Sequence, residues 1–250
     1  MKKINFNILL LTLFCIGIIS AIADGRYESK KETVKYEKVN ELKVSNVTGG
    51  ITVTGWDKDY VEITYTKKAR NEDDLDDIDV DITQRGDALY IVTDLPWRCK
   101  QCGVEYDIFL PEKFKSLEAE TVTGSVNIAK MEFVDDFAVK STTGSINAEL
   151  SARLINANVV TGGITLRLKD VAEKGEIKAE AVTGSIKIYA PENLQADLDC
   201  SAVTGSVDID DYTLDRVRVK KKNKLKATIG EGNIPCRLST VTGSISLKMN

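Results

Sequence analysis

The chain has 250 residues, 34 Lys plus Arg against 38 Asp plus Glu, and no histidine. Without imidazole, Ser-His-Asp and Cys-His catalysis are excluded, as is every metal site that needs that ligand. A net charge of -4 argues against a nucleic-acid binder, which needs a concentrated basic surface. Hydrophobic residues make up 42%, ordinary for a chain that builds a buried core.

Lys2 and Lys3 precede a largely apolar run from Ile8 to Ile19. Ala21-Ile22-Ala23 then offers the small-x-small pattern cut by signal peptidase, so 1–23 reads as a signal peptide. The competing reading is a membrane anchor, since Ile4 to Ala23 is nearly long enough to span a bilayer. A lipoprotein is disfavoured because bulky Phe14 stands before Cys15. Removing Lys2 and Lys3 leaves 32 basic and 38 acidic side chains, a charge of about -6. No later apolar run could span a membrane, so the mature chain is expected to be periplasmic or extracellular. Residues 24–40 form an N-terminal lead-in.

From residue 41 a tetrad, Val-Thr-Gly-Ser or a close variant, keeps returning. Its Thr-Gly pairs are Thr48-Gly49, Thr123-Gly124, Thr143-Gly144, Thr161-Gly162, Thr183-Gly184, Thr204-Gly205 and Thr242-Gly243. The gaps between threonines are 75, 20, 18, 22, 21 and 38, a period near 20 that marks a repeat architecture. If the residue before each Thr is position zero, apolar residues recur at minus five, minus three, zero, plus four and plus six. The fifth copy, for example, reads Ile177, Ala179, Val182, Ile186 and Ile188. Only Thr142 departs, so 34 of 35 such positions are apolar, where about 15 are expected from composition. The period-two spacing on either side of the tetrad is that of strands, and β-branched residues dominate it. The glycine in every copy points to a bend that a side chain would oppose.

Two architectures fit. In a β-solenoid each copy is one coil, and like positions stack about 4.8 Å apart. In an antiparallel meander each tetrad is a hairpin tip. Identity down the columns favours the solenoid, because stacked coils gain from like-on-like packing and hairpin tips do not. One coil cannot bury its own face, so the copies stabilise one another as an array.

Between Trp56 and Lys115 the tetrad is absent. Tyr60 to Tyr65, Asp79 to Ile82, Ala88 to Val92 and Tyr106 to Leu110 alternate as strands. They read as a small antiparallel β cap near the N-terminus, which would shield an open edge. The domain reading is therefore 41–116 for the first repeat and cap, and 117–250 for the solenoid repeats. Ile229-Gly230-Glu231-Gly232-Asn233-Ile234 reads as a degenerate copy within the long last gap. The basic run Lys220-Lys221-Lys222, with Lys224 and Lys226, reads as a solvated strand or loop, an anionic contact being the alternative.

Four cysteines follow residue 23. Cys99-Lys100-Gln101-Cys102 lacks the helix N-terminus of a redox motif and the second pair of a zinc site, so a local disulfide is expected. Cys200 and Cys236 fall in inward columns and read as core thiols, able to bridge only from adjacent coils. The acidic run Glu72 to Asp79 lacks the spaced ligands and central glycine of a calcium loop, and reads as a solvated turn or short helix. Asp208, Asp210 and Asp211 read as solvated too. No catalytic, metal or cofactor site is expected.

The repeated Val-Thr-Gly-Ser-Ile and Val-Thr-Gly-Gly-Ile copies resemble the bacterial putative-adhesin family of β-strand-repeat proteins. Thr54-Gly55-Trp56-Asp57, Tyr106 to Pro111, and Gly230-x-Gly232 through Leu247 extend the likeness over nearly all of the mature chain. The resemblance implies a right-handed, single-stranded β-helix-like fold and an envelope or surface location, in a group of unknown function. It brings no catalytic residues. The expected function is a non-enzymatic binding or scaffold module whose partner is an envelope protein or a glycan. The alternatives are a polysaccharide-active β-helix enzyme and an envelope-stress sensor.

Overall fold

Alternating side chains bury one face of a strand and leave the other in water, so each copy must fold back at its tetrad to bury both halves. The computed structural model describes residues 28–99 and 101–250, so the signal peptide expected at 1–23 lies outside it. In chain order the strands are β1 (Glu28–Glu37), β2 (Glu41–Thr48), β3 (Ile51–Trp56), β4 (Tyr60–Ala69), β5 (Asp79–Arg85), β6 (Ala88–Asp94), β7 (Gly103–Pro111), β8 (Lys113–Thr123) and β9 (Val126–Thr143). There follow β10 (Ile146–Thr161), β11 (Ile164–Thr183), β12 (Ile186–Ala190), β13 (Ala196–Thr204), β14 (Val207–Ile209), β15 (Arg216–Lys221), β16 (Lys224–Ile229), β17 (Ile234–Thr242) and β18 (Ile245–Met249). A single short helix, α1 (Glu72–Asp76), is described. The fold is all-β, an open sheet of solenoid-like repeats.

Strands from successive copies pair in parallel, which excludes a meander with tetrads at hairpin tips. β8, β9, β10 and β11 stack in sequence order, with Leu117 beside Phe137, Phe137 beside Ile155 and Ile155 beside Ile177. The strands after the corner stack likewise, Val126 beside Ile146 beside Ile164 beside Ile186. Both ladders turn these residues inward, and all of them are fully or almost fully buried. Each large aliphatic side chain so buried contributes about 1.5–3 kcal/mol of gross stabilisation.

The order of coils at the two ends departs from the expected turn-upon-turn succession. The last copy does not follow the sixth along the stack. β17 lies between β11 and β13, pairing Thr183 with Thr242 on one side and Thr242 with Thr204 on the other. Its second half, β18, likewise lies between β12 and β14. The first copy is enclosed in the same way. β2 sits between β6 and β8, and β3 between β7 and β9. Thus β6 and β7 form a coil that carries no tetrad and was hidden in the stretch read as a cap.

Antiparallel pairing is confined to the two ends of the stack. β5 pairs with β6, and β4 pairs with β7 and β1. At the far end β16 pairs with β13 and β15 with β16. The segment 229–234 is therefore no degenerate coil. Ile229 ends an antiparallel strand, Ile234 begins a parallel one, and Gly230 (φ 56°) and Gly232 (φ 76°) make the bend between them.

Candidate functional site

The tetrads meet at one corner of the stack. Thr48, Thr123, Thr143, Thr161, Thr183, Thr242 and Thr204 stand in one ladder, in that spatial order, each in register with the next. The glycines form a second column against which the coils close. A Cβ on Gly144 would lie 2.0 Å from the Gly124 carbonyl oxygen, and one on Gly205 would lie 1.9 Å from that of Gly243. Gly49, Gly124, Gly162, Gly184 and Gly243 meet a neighbouring carbonyl in the same way. The column therefore stays glycine because of inter-coil contact as well as the bend.

The residue at minus one explains how the corner keeps its hydrogen bonds. This position is buried in every copy, yet four copies place a polar side chain there. The hydroxyls of Thr121, Ser141 and Thr240 donate to the carbonyls of Gly49, Gly124 and Gly184 at 3.1, 3.0 and 3.0 Å. Asn46, at the same place in the first copy, donates to Gly49 O and Val104 O at 3.0 and 2.8 Å. Asn46-Val47-Thr48 also spells a glycosylation sequon, but the Asn46 side chain is buried and its amide is engaged in the corner.

Position zero is corrected by the structure. The sequence pattern groups it with the core, but its side chain points to solvent. Val47, Val122, Val160, Val182 and Val241 are 37–47% exposed and Val203 is 72% exposed. The reason is parity. Residues at minus five, minus three and minus one share the inward face, so the residue at zero falls on the other one. The outward threonine column then stands beside an outward valine column, interrupted only by Thr142.

From position zero to plus three the seven corners contain 28 residues, and none is charged in a chain that is 29% Asp, Glu, Lys and Arg. The serines at plus three continue the ladder. Ser145 N donates to Ser125 Oγ at 3.2 Å, and the Ser206 and Ser244 hydroxyls lie 3.2 Å apart. Ion pairs such as Lys43–Glu118 and Lys178–Glu180, both at 3.0 Å, occupy the flat faces instead.

In the coil without a tetrad, the corner is replaced by a loop. Cys99 and Cys102 are joined there by a disulfide, with Cα atoms 5.6 Å apart. The same loop carries Trp97, 86% exposed, with the Arg98 guanidinium 4.6 Å from its ring centroid. Gly103 follows the loop directly beneath Thr48, where a Cβ would lie 2.9 Å from Thr48 O. Cys200 and Cys236 are free and buried. They do lie in adjacent coils, but Leu198 faces Cys236 and Cys200 faces Leu238, a two-residue offset that keeps them from bridging.

The groups with displaced acidities are structural. Burial pushes the Cys200 thiol up to about 12, and the nearby Asp199 charge adds to this. Burial also raises Cys236. The Tyr106 hydroxyl is pushed up to about 12 by burial, against a hydrogen bond to Thr93 at 2.6 Å. Tyr212 reaches about 12 by burial and the Asp211 charge, and donates to Ala190 O at 2.7 Å. Among the described residues no group of three or more acidic or cysteine side chains could hold a metal ion. The acidic run forms α1, with Asn71 Oδ1 accepting from Asp74 N at 2.8 Å as its N-cap. Asp208 accepts from Ser206 at 2.7 Å, and Asp210 pairs with Lys248 at 3.1 Å. An open depression of about 530 Å³ lies away from the corner, lined by Asp170, Glu173, Asn193, Gln195 and Asn233. No described helix is long and apolar enough to cross a membrane.

The sequence profile of one family, Toastrack DUF4097, matches residues 28–248. The chain belongs to the Toastrack DUF4097 family. No curated protein matches it. Solved structures align over nearly the whole Toastrack chain at low identity. A putative cell adhesion protein from Clostridium sporogenes shares 13% identity with a TM-score of 0.46, over 89% of this chain and 100% of its own. A putative adhesin from Bacteroides fragilis shares 14% at 0.35, over 87% and 97%. Another from Parabacteroides merdae shares 10% at 0.33, over 91% and 97%.

Proposed function

We propose that this Toastrack chain is an exported, non-enzymatic binding or scaffold module of the cell envelope, adhesin-like in presenting a rigid repeated surface. In this reading the coils wind right-handedly, and the antiparallel strands at each end act as caps that deny the stack an open edge. The observation that carries the proposal is the uncharged corner, 28 residues of Val, Thr, Gly and Ser in register across seven coils. A long, stiff, neutral surface offers many weak contacts at fixed spacing, which suits presentation to a protein or glycan partner better than bond cleavage. The test is capture of envelope components, with a glycan array in parallel. Specific retention without turnover is the expected result. Cleavage of a polysaccharide, abolished by Asp170→Asn with Glu173→Gln, would replace this reading with the enzymatic one centred on the open depression.

A further inference from the structure

We infer that the corner is the contact surface of an antiparallel homodimer, its partner being a second copy of this chain. This rests on the corner as the binding surface proposed above and names its partner, so the corner of a dimer is closed to any other protein or glycan.

Three observations converge on the same edge. The first is apolar exposure at both ends. Counting the disulfide loop as one layer, the corner has eight layers. In spatial order they are the disulfide loop, which carries Trp97 and whose strand β6 sets exposed Asp94 level with Val47, and then the layers of Val47, Val122, Thr142, Val160, Val182, Val241 and Val203. The two most exposed large apolar side chains described, Trp97 at 86% and Val203 at 72%, are the first and the last. A two-fold axis between the Thr142 and Val160 layers sets the disulfide loop of each copy against the Val203 layer of the other, and pairs the inner layers likewise. Trp beside Arg, as at Trp97 and Arg98, is the composition typical of interface anchors.

The second observation is charge. α1 crosses the corner beyond the disulfide loop, because it joins the end of β4, where Lys68 faces Gly103, to the start of β5, where Asp79 faces Asp94. Leu75 and Ile78 are buried beneath it, while Glu72, Asp73, Asp76 and Asp77 are exposed. The opposite end of the corner is crossed by the β15–β16 turn. Ala202 N donates to Asn223 O at 2.8 Å and Val207 N to Lys222 O at 2.9 Å, on either side of the Val203 tetrad. That turn carries Lys220, Lys221, Lys222 and Lys224, all exposed. None of these lysines or of the α1 carboxylates forms an ion pair within the described residues. The same antiparallel alignment brings the acidic helix of each copy against the basic turn of the other, twice per dimer. A parallel alignment would set like against like.

The third is size. Eight layers at about 4.8 Å give an edge of about 34 Å. The four corner residues of each layer span about 13 Å, so a contact along the edge covers about 450 Å² per copy, the size of a weak, reversible association. Between the ends the uncharged strip of the tetrad layers meets itself, so only the loop layer, with Asp94 and Arg98, brings further charge to the contact.

The test is sedimentation equilibrium of the chain lacking residues 1–23, which retains every described residue. A closed dimer is expected, with a micromolar dissociation constant that weakens about tenfold or more as salt is raised from 0.05 to 0.5 M. Two charge-reversed chains are then compared: Lys220→Glu with Lys221→Glu and Lys222→Glu, and Glu72→Lys with Asp73→Lys and Asp76→Lys. Each alone should be monomeric, and an equimolar mixture should form heterodimers, because both end contacts become attractive again. Circular dichroism melting checks that both fold. If either does not, Val160→Lys at the centre of the strip gives the same readout by loss of the dimer. A wild-type chain that stays monomeric at 0.1 mM and low salt overturns the inference. So does open-ended growth, a dimer unaffected by reversal or by Val160→Lys, or a mixture of folded reversed chains that fails to pair.

Discussion

At the scale of single residues, the corner separates glycines that the stack requires from glycines that it does not. Gly144 has its missing Cβ aimed at Gly124 O, 2.0 Å away, with φ at 147°. Gly163, one step further round the corner in the next coil, has nothing closer than Ser185 O at 3.5 Å. Gly144→Ala should therefore cost about 3 kcal/mol or more, while Gly163→Ala should stay within about 0.5 kcal/mol. Urea denaturation midpoints of the two variants check this, and equal losses would contradict it. The glycine column and its threonine neighbour are legible in the sequence, because only they recur in every copy. The outward valines are not. They are apolar like the core, and their recurrence counts them with it unless strand parity is followed through minus one. The polar residues at minus one escape notice for the opposite reason. Asn46, Thr121, Ser141 and Thr240 are of three residue types and the other three copies are apolar there, yet all four donate to a glycine carbonyl of their own or the preceding layer.

At the scale of elements, the enclosed copies decide how the ends behave. β17 hydrogen-bonds to β11 on one side and β13 on the other, so its removal leaves two facing strand edges without partners. A chain ending at residue 233 should lose its cooperative unfolding transition and aggregate through those edges. A synthetic peptide of residues 234–250 added in trans should bind the opened slot and restore the transition, as read by far-ultraviolet circular dichroism and peptide fluorescence. Recovery by a peptide with Gly243→Val would argue against the slot, since that side chain would strike Gly184 O. The strands themselves and their parallel stacking are readable from period-two alternation and from identity down the columns. The stacking order is not, because one tetrad is as good a neighbour as another and the spacing of 38 says nothing of which layers it joins. The coil of β6 and β7 is hidden for the converse reason. It has inward residues such as Leu89, Ile91, Val104 and Tyr106, but a disulfide loop in place of the tetrad.

At the scale of the whole molecule, the single core sets an upper limit on pH. Cys200, Tyr106 and Tyr212 hold their protons up to about 12 when folded, against ordinary values of 9.0 and 10.0. The folded state thus binds more protons than the unfolded one between those values. Its stability is full below about pH 9 and declines as the pH rises towards 12. Urea midpoints should be level from pH 7 to 8.5 and fall steadily above 9, and a midpoint unchanged through pH 11 would contradict this. The interleaved order has a kinetic consequence as well. Synthesis delivers the inner layer last: residues 176–183 and 196–204 are both present before 234–242 can be placed between them. Since all three carry the same register, the two older layers can zip directly onto each other and shut the newcomer out. Escape from that off-pathway stack requires the premature ladder to come apart bond by bond, so the close kinship of the layers, which steadies the finished rod, is also what slows its assembly.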